Sequence, residues 1–203
     1  MSDVHDYLTR KYNHRVRWMN FWHQIDEILE LHPLSLLEIG KGGGVVSDHL
    51  KKSGVNITTL DNDAGTNPDI VGSIMRLPLK DKEFDMVLAA EVLEHVPYDE
   101  VPEALKELRR VAKKWVTVTL PYRGTRITIS FKIPIIPYLS VFIPIPYFWR
   151  PHLLSASGHH WEVGKNGFSR ARIRKMFQKE GLTVVKEKIF SDDYDHIFYI
   201  LKV

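Results

Sequence analysis

The chain has 203 residues, 44% of them hydrophobic and 26% charged, which is the length and composition of one globular domain. It has no cysteine, which excludes disulfides, cysteine-ligated zinc and thiol nucleophiles. The formal net charge of +3 is compatible with an acidic partner but too small to name one. The basic residues of the last predicted helix are interpreted as a solvated face, so we expect no nucleic-acid partner. Residues 1–6 lack the basic and apolar regions of a signal peptide, so we expect a cytoplasmic protein.

The first predicted element is a helix near the N-terminus. Apolar residues recur at helical spacing between Arg15 and Leu31, and His32 with Pro33 marks the end of the pattern. We interpret residues 1–32 as an N-terminal helical segment of a single domain that spans residues 1–203.

A glycine-rich turn follows the next apolar run. The run ends at Ile39, the turn covers residues 40–44, and a helix is predicted to begin near Val45. An apolar run before glycines is typical of a buried parallel strand, and glycines let a ligand approach the backbone closely. The helix start directs free N–H groups at that ligand. Asp61 ends the following apolar run, where an acid can accept both hydroxyls of a ribose, so the pattern predicts an adenosine-containing cofactor.

The spacing of the glycines selects among such cofactors. A dinucleotide fingerprint would need glycine at position 45, which is Val45, and the chain contains no P-loop string. Glu38 precedes the first glycine by two residues, where its charge would repel a pyrophosphate and suits a cationic amino group. The resulting acid-x-G-x-G-x-G motif resembles the first motif of the class I S-adenosylmethionine-dependent methyltransferases.

The resemblance continues in order over about half of the chain. Residues 69–78 resemble the third strand and adenine loop of that family, and residues 84–96 resemble its fourth strand with the following loop. Residues 101–113 match the next helix, and residues 115–121 match the fifth strand.

The resemblance implies an α/β fold. The expected architecture is a Rossmann-like three-layer sandwich with a seven-stranded, mostly parallel sheet and an antiparallel last strand. Val71 and Phe84–Leu88 are expected in central parallel strands. The remaining predicted elements are a helix from Ser169 to Glu180 and two strands over residues 182–190 and 196–203.

The same resemblance implies S-adenosylmethionine as the cofactor and assigns residues to it. Ser73 stands where the family often has an aspartate, so its bond to the adenine amino group lacks charge assistance. The predicted cofactor-binding residues are Glu38, Gly40, Gly42, Gly44, Asp61, Asn62, Ser73, Ile74 and Glu91.

Residues 122–168 are predicted to form an insertion or lid on the acceptor side. His159, His160 and Glu162 are the candidate catalytic residues, because histidine exchanges protons near neutral pH. Tyr122 and Trp161 are the candidate acceptor-binding residues. A purely structural turn with hydrogen-bonded histidines is the alternative. No metal site is predicted, because adjacent histidines diverge and no third ligand is evident.

The segment 133–149 is apolar and rich in proline, which disfavours a helix or a central strand. Three interpretations remain open: a lid over an apolar acceptor, a dimer contact, and a peripheral contact with a membrane. The predicted function is methyl transfer to a small-molecule or lipid-like acceptor. The alternatives are a non-catalytic S-adenosylmethionine-binding scaffold and an RNA or protein methyltransferase.

Overall fold

The structure, a computed structural model, describes residue 7 and residues 9–123, 125–131, 139–145 and 158–203. The predicted insertion and the proline-rich segment therefore lie partly outside the described residues. The helices are α1 (Arg15–Leu31), α2 (Val45–Lys52), α3 (Val101–Val111) and α4 (Arg170–Lys179). The strands are β1 (Ser35–Ile39), β2 (Asn56–Asp61), β3 (Ile70–Val71), β4 (Phe84–Ala90), β5 (Ala112–Pro121), β6 (Thr125–Phe131), β7 (Leu139–Ile145), β8 (Thr183–Lys188) and β9 (His196–Lys202).

Seven strands form one sheet in the order β3-β2-β1-β4-β5-β9-β8. Strands β1 to β5 pair in parallel, and β9 runs antiparallel to both of its neighbours. Strand β8 consequently runs in the same direction as β5. The predicted seven-stranded, mostly parallel sheet with an antiparallel last strand is confirmed.

Helices cover both faces of this sheet, which makes three layers. On one face, Leu105 of α3 and Phe177 of α4 belong to a buried cluster with the strand residue Tyr199. On the other face, Ile28 of α1 and Leu50 of α2 pack with residues of β1 and β4. Strands buried on both sides read as continuous apolar runs, which explains why sequence patterning predicted them.

Two predicted positions differ from the structure. Val71 lies in a parallel strand, but that strand is the two-residue edge strand β3, and Val71 is 59% exposed. Helix α3 ends at Val111, two residues earlier than predicted. The reason is Lys82, whose N–H donates to the Arg110 carbonyl at 2.8 Å and whose Nζ donates to the Ala112 carbonyl at 3.0 Å. These donors satisfy carbonyls that another helical turn would otherwise have used.

Helix α1 is held beside the loop that follows β8. The Asn20 side-chain amide donates to Asp193 Oδ2 at 2.9 Å, and both residues are buried. His23 Nε2 lies 2.8 Å from Asp192 Oδ1, and the His23 ring stacks on Phe190. Because β8 runs parallel to β5, this loop lies at the carboxyl ends of the strands, and α1 therefore lies at that end too.

Strands β6 and β7 form a separate two-stranded antiparallel sheet. At its base, the Tyr122 N–H donates to the Asp195 carbonyl at 2.7 Å. Pro144 lies within β7, which agrees with the prediction that prolines keep this segment out of a central strand. In the described part of the chain, no helix is long and apolar enough to cross a membrane.

Candidate active site

A cavity of about 620 Å³ opens at the carboxyl ends of β1, β2 and β4. Ligands of open α/β sheets bind at this edge, where the connections to neighbouring strands diverge. All nine residues predicted to bind the cofactor lie on its walls.

The glycine turn forms one wall of the cavity and depends on the absence of side chains. Gly40 has φ +79°, and a Cβ there would lie 2.5 Å from Val92 Cγ2. Gly42 has φ +50°, and the ring of Tyr7 lies 3.3 Å from the position that its Cβ would take. Larger residues would therefore be strained at both positions and would close the space between the turn and its neighbours.

Asp61 lies at the end of β2 with its carboxylate fixed by two backbone donors. Its Oδ2 accepts from the Gly42 N–H at 3.1 Å, and its Oδ1 accepts from the Asp63 N–H at 3.0 Å. Asp61 is 7% exposed, so the carboxylate is held in one orientation at the cavity wall.

Glu38, at the end of β1, is a buried acid with unused hydrogen-bonding capacity. Its Oε2 has no hydrogen-bond partner among the described residues. Burial raises the pKa of Glu38 to about 7, although a hydrogen bond from Ser47 and the charge of Lys41 act in the opposite direction. A cationic group in the cavity could restore the charged form of this acid.

Ser73 and Ile74 lie on the wall beyond β3. The Ser73 hydroxyl accepts from the Met75 N–H at 3.2 Å, which shapes a tight turn around the pair. Ile74 is buried and supplies apolar surface, as a flat aromatic base would require.

Glu91 follows β4 in an uncommon backbone conformation with φ +56°. Its N–H donates to the Thr119 carbonyl at 3.1 Å, and His196 Nε2 lies 3.6 Å from its Oε2. Burial lowers the pKa of His196, but the carboxylates of Glu91 and Asp193 outweigh that effect, and the net shift is upward. This network holds the Glu91 carboxylate at the cavity wall.

The three candidate catalytic residues occupy different environments. His159 lies on the cavity wall, and its Nδ1 is 2.9 Å from Glu162 Oε1. His160 is exposed and does not line the cavity, and its N–H donates to the Glu94 carbonyl. Glu162 is buried behind His159 and does not line the cavity.

Glu162 is ionised at neutral pH. Burial alone would raise the pKa of Glu162, but the hydrogen bond with His159 and the charges of Arg123 and Lys165 lower it to about 2. The carboxylate therefore accepts a hydrogen bond from the Nδ1–H group of His159, and in the neutral imidazole this leaves the lone pair on Nε2. Glu162 thus orients His159 without being a proton acceptor itself.

Neither predicted acceptor-binding residue lies on the cavity wall. Trp161 is fully buried, its Nε1 donates to the Val96 carbonyl at 3.0 Å, and its ring packs edge-on against Tyr98. Tyr122 is half-buried and forms a β-bridge to Val163, just before the hairpin that β6 and β7 form. The structure places both side chains in the packing around the site instead of on its surface.

Several wall residues were missed by the sequence analysis. For the wall residues in α1 the helical spacing was a usable signal. Arg17, Phe21 and Gln24 are separated by four and three residues, so they fall on one face of the helix. The additional wall residues include Tyr7, Arg17, Phe21, Gln24, Glu94 and His95.

Glu94, His95 and His159 bring their polar atoms within 4.8 Å of one another, so they could hold a metal ion. Neither carboxylate oxygen of Glu94 has a hydrogen-bond partner among the described residues, and burial and the charge of Glu91 raise its pKa well above the usual value. Burial and the neighbouring His159 lower the pKa of His95. The prediction of no metal site rested on the divergence of the adjacent histidines and on the lack of a third ligand. His160 does lie off the cavity, but Glu94 and His95 supply candidate ligands that the sequence did not show.

Comparison with known proteins finds a methyltransferase family model that matches part of the chain. A family model described as a methyltransferase domain matches residues 37–117, which include the glycine turn, Asp61 and β4. This match, together with the shared fold, supports a class I S-adenosylmethionine-dependent methyltransferase. The cofactor of this family is S-adenosylmethionine, and the cavity has walls that suit it.

Curated relatives are similar over part of their length. The ubiquinone biosynthesis O-methyltransferase of Methylobacterium nodulans is 38% identical over 82 residues, which cover 34% of this chain and 33% of that protein. The enzyme of the same name from Rickettsia bellii is 23% identical over 129 residues, which cover 57% of this chain and 53% of that protein. The matches thus span a third to about half of these relatives.

Solved methyltransferases share the fold over nearly the whole chain. A crystal structure of 1,6-didemethyltoxoflavin-N1-methyltransferase from Burkholderia thailandensis, with bound 1,6-didemethyltoxoflavin and S-adenosylhomocysteine, has TM-score 0.61 and 12% identity over 98% of this chain and 86% of that one. Magnesium protoporphyrin IX methyltransferase from Synechocystis, with bound S-adenosylmethionine, has TM-score 0.61 and 13% identity over 92% and 79% of the two chains.

The buried position of Trp161 predicts a structural effect for its substitution. Trp161→Phe removes the hydrogen bond to Val96 and leaves a small void, which should destabilise the protein by about 1–3 kcal/mol. Affinity for S-adenosylhomocysteine, measured by calorimetry, should stay within about twofold of the parent because the ring does not line the cavity. An unchanged free energy of unfolding with a large loss of ligand affinity would contradict this role.

The raised pKa of Glu38 predicts proton release on cofactor binding. Below pH 7 the free protein holds Glu38 mainly protonated, and the amino group of S-adenosylhomocysteine favours its ionised form. Calorimetry at about pH 6 in two buffers of different ionisation enthalpy should therefore detect release of close to one proton. In Glu38→Gln this release should disappear. Equal proton release by parent and variant would show that another group titrates.

Proposed function

We propose that this protein transfers a methyl group from S-adenosylmethionine to a small-molecule or lipid-like acceptor, with His159 as the proton acceptor. The observation that carries the proposal is a single cavity. It joins the nine residues of the predicted cofactor site to the titratable groups of Glu94, His95 and His159.

The cofactor side of the cavity matches the charges of S-adenosylmethionine. We assign its amino group to Glu38, whose buried carboxyl has an unused oxygen, and its ribose hydroxyls to Asp61, whose carboxylate is already oriented. The methionine part would lie along the glycine turn beneath Tyr7, where a Cβ would fill the space. Ser73 and Ile74 would border the adenine.

The acceptor side of the cavity has a histidine that can take a proton from the acceptor. When bound, S-adenosylmethionine offers an electrophilic methyl group to a nucleophile aligned behind it. A hydroxyl acceptor gains that methyl group and must lose its proton. We assign this proton to Nε2 of His159, because the ionised Glu162 keeps the other ring nitrogen protonated.

The relatives favour a small acceptor. The curated relatives are named for O-methylation in ubiquinone biosynthesis, and the solved enzymes are named for toxoflavin and protoporphyrin methylation. The name O-methyltransferase supports an oxygen nucleophile. A hydroxyl is a weak nucleophile until it loses its proton, so it gains most from a general base. A non-catalytic scaffold would bind the cofactor and transfer no methyl group. An RNA or protein methyltransferase would transfer methyl groups to RNA or to protein.

The proposal is tested by following labelled methyl groups from S-adenosylmethionine into the organic, protein and RNA fractions of a cell extract. Parent protein should label the organic fraction. His159→Asn should lower the rate on the order of 10²-fold or more, because it removes the base while keeping a polar partner for Glu162. His160→Asn is the matched control, since its side chain is exposed and lies off the cavity, and it should transfer at the parent rate.

Cofactor affinity of each variant, measured by calorimetry, separates a catalytic effect from a folding defect. Binding of S-adenosylhomocysteine without transfer to any fraction would favour the scaffold. Labelling confined to RNA or protein would contradict the small acceptor, and equal rates for both histidine variants would contradict the base.

A further inference from the structure

One face of the β6–β7 hairpin carries exposed apolar side chains. Ile127, Ile129 and Phe131 alternate along β6, so their side chains share one face, and they are 50%, 50% and 41% exposed. Ile143 pairs directly opposite Ile127 and is 45% exposed.

Two exposed tryptophans border the same end of the molecule. Trp18 and Trp22 are 49% and 53% exposed, and four residues apart they lie on one face of α1. The loop over residues 192–195 connects the two features. It accepts hydrogen bonds from Asn20 of α1 and from the backbone of Tyr122 at the base of the hairpin.

The sequence around the hairpin carries charge of one sign. From residue 108 to residue 161 the chain has no aspartate or glutamate. The segment from 122 to 157 contributes Arg123, Arg126, Lys132 and Arg150. An apolar face is thus embedded in a purely basic stretch of chain.

We propose that the hairpin face, together with Trp18 and Trp22, docks on a lipid bilayer whose surface carries anionic headgroups. The positive charge of this stretch of sequence suits a surface of anionic headgroups. The apolar side chains enter the interface, and tryptophan favours the boundary between headgroups and hydrocarbon. A second copy of the chain fits less well, because a two-fold contact through this face would bring the same basic segments together. A closed lid would bury the side chains that are exposed here.

The docking is shallow. A two-stranded hairpin has unpaired backbone groups on its outer edges, and these are costly in hydrocarbon. Pro144 removes one such donor from β7, but the others need water or headgroups. The hairpin therefore lies in the interfacial layer, with the alternating isoleucines facing the lipid.

Vesicle flotation tests this surface, using the full chain with vesicles of phosphatidylcholine alone or mixed with phosphatidylglycerol. Parent protein should float with the anionic vesicles, and added salt should weaken its binding. Ile129→Glu, and separately Ile127→Glu, should lower the vesicle partition coefficient by roughly tenfold. Val185→Glu is the matched control: Val185 is also a β-branched strand residue, it is 57% exposed and lies on β8, and this variant should bind like the parent.

Melting temperatures and S-adenosylhomocysteine affinity establish that each variant is folded, and vesicle binding requires neither an acceptor nor methyl transfer. Absence of binding by folded parent protein overturns the proposal, as does an equal loss for Ile129→Glu and Val185→Glu. A parent dimer that Ile129→Glu dissociates in sedimentation, without vesicle binding, would assign the face to a second copy. If the parent does not bind vesicles and Ile129→Glu lowers methyl transfer, the hairpin face would be assigned to a lid.

Discussion

The hydrogen bond between the Gly42 N–H and the Asp61 carboxylate joins the two halves of the cofactor site. It ties the glycine turn after β1 to the end of β2, and a second bond from the Asp63 N–H prevents the carboxylate from rotating. The turn can lie this close because Gly42 has no side chain and a positive φ. The cavity wall, the orientation of the acid and the direction of the α2 N-terminus all depend on this contact.

The buried acids in and around the cavity have opposite pKa shifts because their partners differ. Glu38 and Glu94 are buried without sufficient compensating charge, so their pKa values rise. Glu162 is equally buried but has three cationic or hydrogen-bonding neighbours, and its pKa falls to about 2. Partners, more than depth, decide which buried acid is charged. The consequence is an acid that can respond to a bound ammonium group at one end and a fixed anion behind His159 at the other.

The cofactor half of the site could be predicted from sequence because its signal is local. Glu38, the glycines and Asp61 lie within one β-α-β unit, so their spacing fixes their placement once the strands form. The acceptor half comes from distant segments, and sequence spacing does not show which face of a loop is buried. Trp161 was therefore expected on the wall but is fully buried, while Arg17 of α1 was missed. Val71 was misplaced because the sequence does not reveal that β3 is an edge strand.

Calorimetric titration with S-adenosylhomocysteine tests the cofactor site most directly, with NADH titrated in parallel. Parent protein should bind S-adenosylhomocysteine with a free energy of about −8 kcal/mol and show no tight binding of NADH. Asp61→Ala should weaken binding by about 1.5–3 kcal/mol, since it removes a charged acceptor from the ribose. Asp63→Ala, off the cavity wall, should bind like the parent. Tight NADH binding with no response to S-adenosylhomocysteine, or equal affinities for the parent and Asp61→Ala, would contradict this site.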